Sequence, residues 1–226
     1  MYFLIFGIFL LLSWLVSSQL KAKVKEYSSI GIKNGLTGKD IAEKMLKDNG
    51  IYDVEVTCIP GELTDHYNPT TKKINLSNNV YYGSNIISAA IAAHECGHAV
   101  QHATAYSFLQ MRSALVPVVS FASNWVQWVL LAGILLVNTF PSILLFGIIL
   151  FAMITLFSLI TLPVEYDASR RAMAWLTNSN LASDIDYSKA QNALNWAAKT
   201  YVIAALSSLA TLIYYIMIFM GARDDD

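Results

Sequence analysis

The chain has 226 residues, and its 15 Lys and Arg against 16 Asp and Glu give a net charge of −1, which excludes the basic footprint of a nucleic-acid binder. At 55% hydrophobic and 14% charged, it suits a membrane protein better than a soluble enzyme. Its 2 cysteines, Cys58 and Cys96, are too few for a disulfide framework and read as free thiols in a reducing compartment.

Residues 2–16 form an apolar run. No basic residue precedes it, so it reads as a retained membrane anchor, continued by Ser17, Ser18 and Leu20, rather than a cleaved signal peptide. Residues 39–47 carry Ile41, Ala42, Met45 and Leu46 at helical spacing, and Asp48-Asn49-Gly50 supplies the stop of a short amphipathic helix. Residues 54–59 alternate as a half-buried strand and residues 72–77 read as another, with turns at Pro60-Gly61 and Asn68-Pro69-Thr70-Thr71. The second strand, around Ile74 to Leu76, is expected to be an edge onto which an extended substrate adds by main-chain pairing. Ser84 or Asn85 then caps a helix that runs through Ile86 and Ala93 into His94.

Residues 113–164 contain no Asp, Glu, Lys or Arg. That length suffices for two crossings of a hydrocarbon core needing about 20 residues each. Residues 115–137 and 142–162 read as a transmembrane hairpin, broken at Asn138-Thr139-Phe140-Pro141. Residues 186–220 read as one long helix with Asp186 as N-cap, amphipathic through Trp196 and Lys199 and then apolar enough to be a fourth span. The fold expected is a mainly α integral membrane protein: about four transmembrane helices and a small cytoplasmic α+β part interrupted by the hairpin. Its parts are an anchor (1–18), an α+β piece ending in the motif helix (19–112), the hairpin (113–163), a second cytoplasmic piece (164–200) and a final span with its acidic tail (201–226). Lys21, Lys23, Lys25, Arg112, Arg170, Arg171 and Lys199 all fall on one side of these spans. By the positive-inside rule that side is cytoplasmic, and both termini lie outside.

His94-Glu95-Cys96-Gly97-His98 carries the chemistry. A spacing of four puts both histidines on one helical face, where their ring nitrogens can reach one ion at about 2.0–2.1 Å. Glu95 is placed to act on a water held by that ion. Cys96 sits about 200° around the axis from each histidine and faces away. Catalytic zinc commonly takes three protein ligands and leaves a position for water. His102 extends the stripe, but it stands about 12 Å along the axis from His94, too far to share one ion on a continuous helix. It reads instead as a support behind the ligands, a substrate contact or a surface residue. Glu165 is better placed, because the hairpin returns the chain to the membrane face it left near Arg112. The structural alternative for Glu165 is a helix-start carboxylate beside Pro163. Asp167 is either the ligand instead or an acceptor orienting a zinc histidine.

Residues 94–102, together with Glu165-Tyr166-Asp167-Ala168-Ser169-Arg170-Arg171-Ala172, resemble the YugP-type neutral zinc metallopeptidases of membranes. Asp65-His66-Tyr67-Asn68-Pro69, Ile74-Asn75-Leu76-Ser77 and the stretch from Tyr201 share the resemblance, which covers nearly the whole chain. It implies a gluzincin arrangement with one catalytic Zn2+, His94, His98 and Glu165 as ligands and Glu95 as the catalytic carboxylate. The pattern is more distantly similar to HtpX-type and CAAX-processing membrane proteases. Those often carry an Asp four residues after the third-ligand Glu, where this chain has Ser169. Tyr166, Arg170, Arg171, His66 and His102 are candidate oxyanion donors. Arg170 and Arg171 read equally as topology determinants, and His66 as a support of its own turn through Asp65 and Asn68.

The function expected is a membrane-bound zinc endopeptidase, with the bilayer and peptide or membrane-protein substrates as partners and no nucleic acid. A non-catalytic, zinc-braced scaffold or chaperone is the rival. It would not need Glu95, and a structural zinc is more often closed by four ligands. A di-metal carboxylate oxidase is a third class, opposed by the acid-free spans, and cleavage at the bilayer midplane is disfavoured by Arg112 and Glu165 at span ends.

Overall fold

The computed structural model describes residues 2–32, 35–179 and 187–224. Long apolar stretches become long helices. α1 (Tyr2–Ser28), α5 (Ser107–Leu135), α6 (Pro141–Asn178) and α7 (Tyr187–Asp224) are the 4 helices among the described residues long and apolar enough to cross a membrane. Between α1 and α5 lie α2 (Gly38–Asp48), β1 (Glu55–Ile59), β2 (His66–Asn68), β3 (Lys73–Ser77), α3 (Asn78–Tyr81) and α4 (Ile86–Ala103). The protein is therefore a mainly α membrane protein with a small α+β part. The expected N-cap Asp186 and the tail residues Asp225 and Asp226 lie outside the described residues.

The chain forms two compact units, one of residues 1–15, 110–162 and 200–226, the other of residues 16–109 and 163–199. In the first unit, Ala122, Val126 and Leu130 of α5 pack with Leu144 and Ile148 of α6, flanked by Leu212, Tyr215 and Phe219 of α7. Gly133 permits the closest approach of the hairpin helices, since a Cβ there would stand 2.6 Å from Leu144 Cα. The turn closes through Phe140 N–H donating to Leu136 C=O at 2.7 Å. Trp125, Trp128, Phe146 and Ile149 are exposed on these helices, as expected of surfaces that meet lipid rather than water. Thr155 and Ser208 hydroxyls pair at 2.7 Å between α6 and α7, so neither is left unsatisfied in apolar surroundings.

In the second unit the core is built by α2 against α4. Ile41, Ala42, Met45 and Leu46 pack with the alanine-rich face Ala89, Ala90, Ala92, Ala93 and Cys96, joined by Ile74 and Leu76 of β3, Ala172 and Leu176 of α6, and Ala190 and Leu194 of α7. Each fully buried Ile, Leu or Met here contributes about 1.5–3 kcal/mol. α2 starts in a capping box between Thr37 and Asp40. It stops at Asn49, and Gly50 follows at φ 70°, a left-handed conformation that glycine adopts without strain. Asn85 rather than Ser84 caps α4, its Oδ1 accepting Ser88 N–H at 2.9 Å. An antiparallel bridge between Gly31 and Asn85 ties the end of α1 to this cap.

Three expectations are corrected. The sheet order is β1-β3-β2, with β1 parallel and β2 antiparallel to β3. β3, which contains Ile74 to Leu76, is thus the central strand and offers no free edge; the outer strands are β1 and β2. The chain pairs His66 with Asn75 and Tyr67 with Ile74, so part of the presumed turn region is itself a strand. α1 carries the anchor onward through Lys21, Lys23 and Lys25 to Ser28. Pro163 lies inside α6 rather than at a boundary. Its ring removes one backbone donor to Leu159, yet the helix resumes, so Glu165 is a mid-helix residue and not a helix-start carboxylate.

Candidate metal centre

All the ligand candidates sit in the second unit, His94 and His98 on α4 and Glu165 on α6. The two helices touch backbone to backbone at Gly97, where a Cβ would lie 2.5 Å from Ala168 C=O. Only glycine allows that approach. One turn before Ala168, Glu165 meets the histidines: its Oε2 is 3.3 Å from His94 Nε2 and 3.6 Å from His98 Nε2. The ligand atoms of these three residues all lie within 4.8 Å of one another. Two donors on one tetrahedral ion at about 2.0–2.1 Å stand roughly 3.3–3.4 Å apart, so the donor types suit zinc and the two carboxylate–imidazole separations are close to that spacing. The imidazoles cross edge to face, with ring centroids 4.8 Å apart.

Each histidine is held from behind. His94 Nδ1 is 3.1 Å from Ser169 Oγ. His98 Nδ1 is 3.0 Å from Gln101 Oε1, and Gln101 Nε2 donates to Val164 C=O at 2.8 Å and to Asp167 Oδ2 at 2.9 Å. Asp167 in turn accepts from Arg171 Nε at 2.6 Å and from Arg170. Asp167 thus lies behind Gln101 and outside the three-donor group, and Ser169 lies against His94. Gln101, which is fully buried, is the residue that sequence reasoning missed. Its signal was available, because a residue three positions after His98 shares its helical face.

Glu95 is buried beside His94, and that burial pushes its carboxyl above the usual carboxylate range, opposed by the two neighbouring imidazoles. A carboxylate tuned upward is better matched to exchanging a proton near neutral pH. Cys96 is buried on the opposite side of α4, its thiol directed at Ala42 C=O at 3.4 Å and pushed up by desolvation. It faces away from the cluster as expected.

The remaining candidates are dispersed. His102 Nδ1 pairs with Tyr67 OH at 2.8 Å, and both line an open cavity of about 190 Å³ together with Asp53, Lys72 and Ala99. His66 uses both ring nitrogens locally, with Thr64 C=O at 2.8 Å and the Asn75 amide at 3.0 Å. Its partners are Thr64 and Asn75 rather than Asp65 and Asn68. Asp65 instead accepts Ser77 N–H at 2.7 Å, and Asn68 accepts from Thr70 and Thr71. Arg171 lies over the Tyr106 ring at 5.7 Å, while Tyr166 is exposed on α6.

Against this geometry, residues 2–220 match the family model described as "Putative neutral zinc metallopeptidase". The chain belongs to that family. It is also 40% identical over 215 residues, 95% of each chain, to a Bacillus subtilis (strain 168) protein named "Putative membrane protease YugP". No solved structure matches it. Membership agrees with the resemblance carried by the motif and with the donor cluster that could hold zinc.

Proposed function

We propose that this protein is a membrane-bound zinc endopeptidase in which His94, His98 and Glu165 hold the metal and Glu95 is the general base. The convergence of those three donor groups within 4.8 Å carries the reading, with a buried carboxylate on the adjoining helical position. Zinc supplies a Lewis acid and brings the pKa of a water towards 7. Glu95 accepts the proton of the attacking water and passes it to the departing amine nitrogen, so its carboxylate is regenerated after each peptide bond is cut. An extended substrate pairs with β2, an outer strand that Tyr67 links to His102 of α4.

The basic residues Lys21, Lys23, Lys25, Arg112, Arg170, Arg171 and Lys199 put residues 19–112 and 164–200 on the cytoplasmic side. Substrates are then cytoplasmic loops or tails of membrane proteins, or peptides delivered there. Glu95→Gln tests the mechanism. The purified variant should bind zinc like wild type and lose peptide cleavage by at least about 10²-fold; equal cleavage by both forms would refute Glu95 as base and favour a zinc-braced scaffold.

A further inference from the structure

Gln101 has polar contacts on both of its amide atoms, and their chemistry leaves only one arrangement. Asp167 as a carboxylate only accepts, and it is engaged by Arg170 and Arg171. The Val164 carbonyl also only accepts. The Gln101 atom facing both, at 2.9 and 2.8 Å, must therefore be its NH2. That leaves Oε1 against His98 Nδ1 at 3.0 Å, and an amide oxygen requires the ring nitrogen to donate. With its proton on Nδ1, a neutral His98 keeps its lone pair on Nε2, the ring nitrogen nearer Glu165. Ser169 cannot do the same for His94, because a hydroxyl donates or accepts by rotating.

We infer that Gln101 is a positioning residue: it transmits the arginine-clamped Asp167 carboxylate to His98 and sets the ring nitrogen that His98 offers to a metal. This rests on the zinc reading of the cluster above. Gln101 has no exposed surface, and its donor bond to Val164 C=O anchors it to α6 one residue before Glu165. The amide therefore couples a ligand on α4 to the segment of α6 that supplies another ligand. The arrangement also makes Gln101 and Asp167 energetically dependent on each other, since neither orients His98 without its partner.

Zinc affinity tests this by competition with a chromophoric chelator on the full-length protein in detergent, for wild type, Gln101→Met, Asp167→Asn, Gln101→Glu and the double variant Gln101→Glu/Asp167→Asn. Gln101→Met should weaken zinc binding by about 10–100-fold. Gln101→Glu sets a second carboxylate against Asp167 and should be at least as damaging. Adding Asp167→Asn restores a donor opposite it, while the Val164 carbonyl stays without one, and should recover part of the lost affinity. Far-ultraviolet circular dichroism and melting of the metal-free forms separate misfolding from lost positioning, and the rescue by the double variant survives even if Gln101→Met does not fold. Wild-type affinity in Gln101→Met, or no recovery in the double variant, overturns the inference while leaving the zinc reading intact. Absence of zinc binding by wild type overturns both.

Discussion

Gly97→Ala probes the contact that brings the two helices of the candidate metal site together. The added methyl would stand 2.5 Å from Ala168 C=O and 3.0 Å from its carbonyl carbon and Cα, all backbone atoms that cannot swing aside. Reaching a tolerable 3.0–3.4 Å requires α4 and α6 to separate by about 0.5–0.9 Å. Overpacking of this kind costs about 1–3 kcal/mol, visible as a lower melting temperature. The sharper effect is on the site. Ala168 is one turn from Glu165, so a similar displacement enters the His94–Glu165 separation of 3.3 Å and the His98–Glu165 separation of 3.6 Å. Misplacing reacting groups by about 1 Å costs on the order of 10²-fold in rate. Chelator competition should report weaker zinc binding, and a quenched-peptide assay a comparable loss of cleavage. Gly7→Ala, where nothing lies within 4 Å of the added atom, is the control and should match wild type. If Gly97→Ala retains both wild-type zinc affinity and wild-type cleavage, the close approach does not set the site.

Two further outcomes are expected. Asp40 accepts the Thr37 hydroxyl and backbone N–H, and these bonds hold its carboxyl below the ordinary value of 3.8. A pKa depressed by folding means that the unfolded chain binds more protons at low pH, so this stabilisation is full above 3.8 and fades as pH falls through the folded value. Asp40→Asn should therefore lower the melting temperature near neutrality and converge with wild type in acid, and Thr37→Ala should cost about 0.5–2 kcal/mol at neutral pH. A reporter inserted at residue 110 should read as cytoplasmic, because Arg112 and the lysines after the first span favour that side; an external signal would reverse the assigned orientation.

The helices were legible because their signals are redundant. Residues 113–164 have no charge to interrupt them, and Ile41, Ala42, Met45 and Leu46 have only one face to bury. β2 was not legible, because three residues bounded by Pro69 carry no periodicity, and its pairing with β3 is a tertiary choice. That omission propagated, making β3 look like an edge. Pro163 misled for a different reason. Proline biases the preceding residue away from helix, but this bias is small beside the apolar packing of Ile160 and Val164, both buried on the same continuous helix.

At the candidate site, the motif spacing determined which histidines share a face, and the hairpin explained how an acid 67 to 71 positions later could return to them. What spacing could not reveal was the uncharged part of the support. A search guided by titratable groups passes over an amide, and Ser169 looked like a deficit beside the pattern of the more distantly similar membrane proteases, which often carry an Asp there. A carboxylate is present two residues earlier and lies on the side of the other histidine. Asp167 accepts from Gln101, whose amide oxygen contacts His98, while Ser169 contacts His94 directly. Moving the charged support two residues along α6 turns it away from His94, since two residues rotate a side chain by about 200°. Gln101 then supplies the reach that a carboxylate at position 167 lacks, which explains why a fully buried glutamine occupies the helix turn after His98.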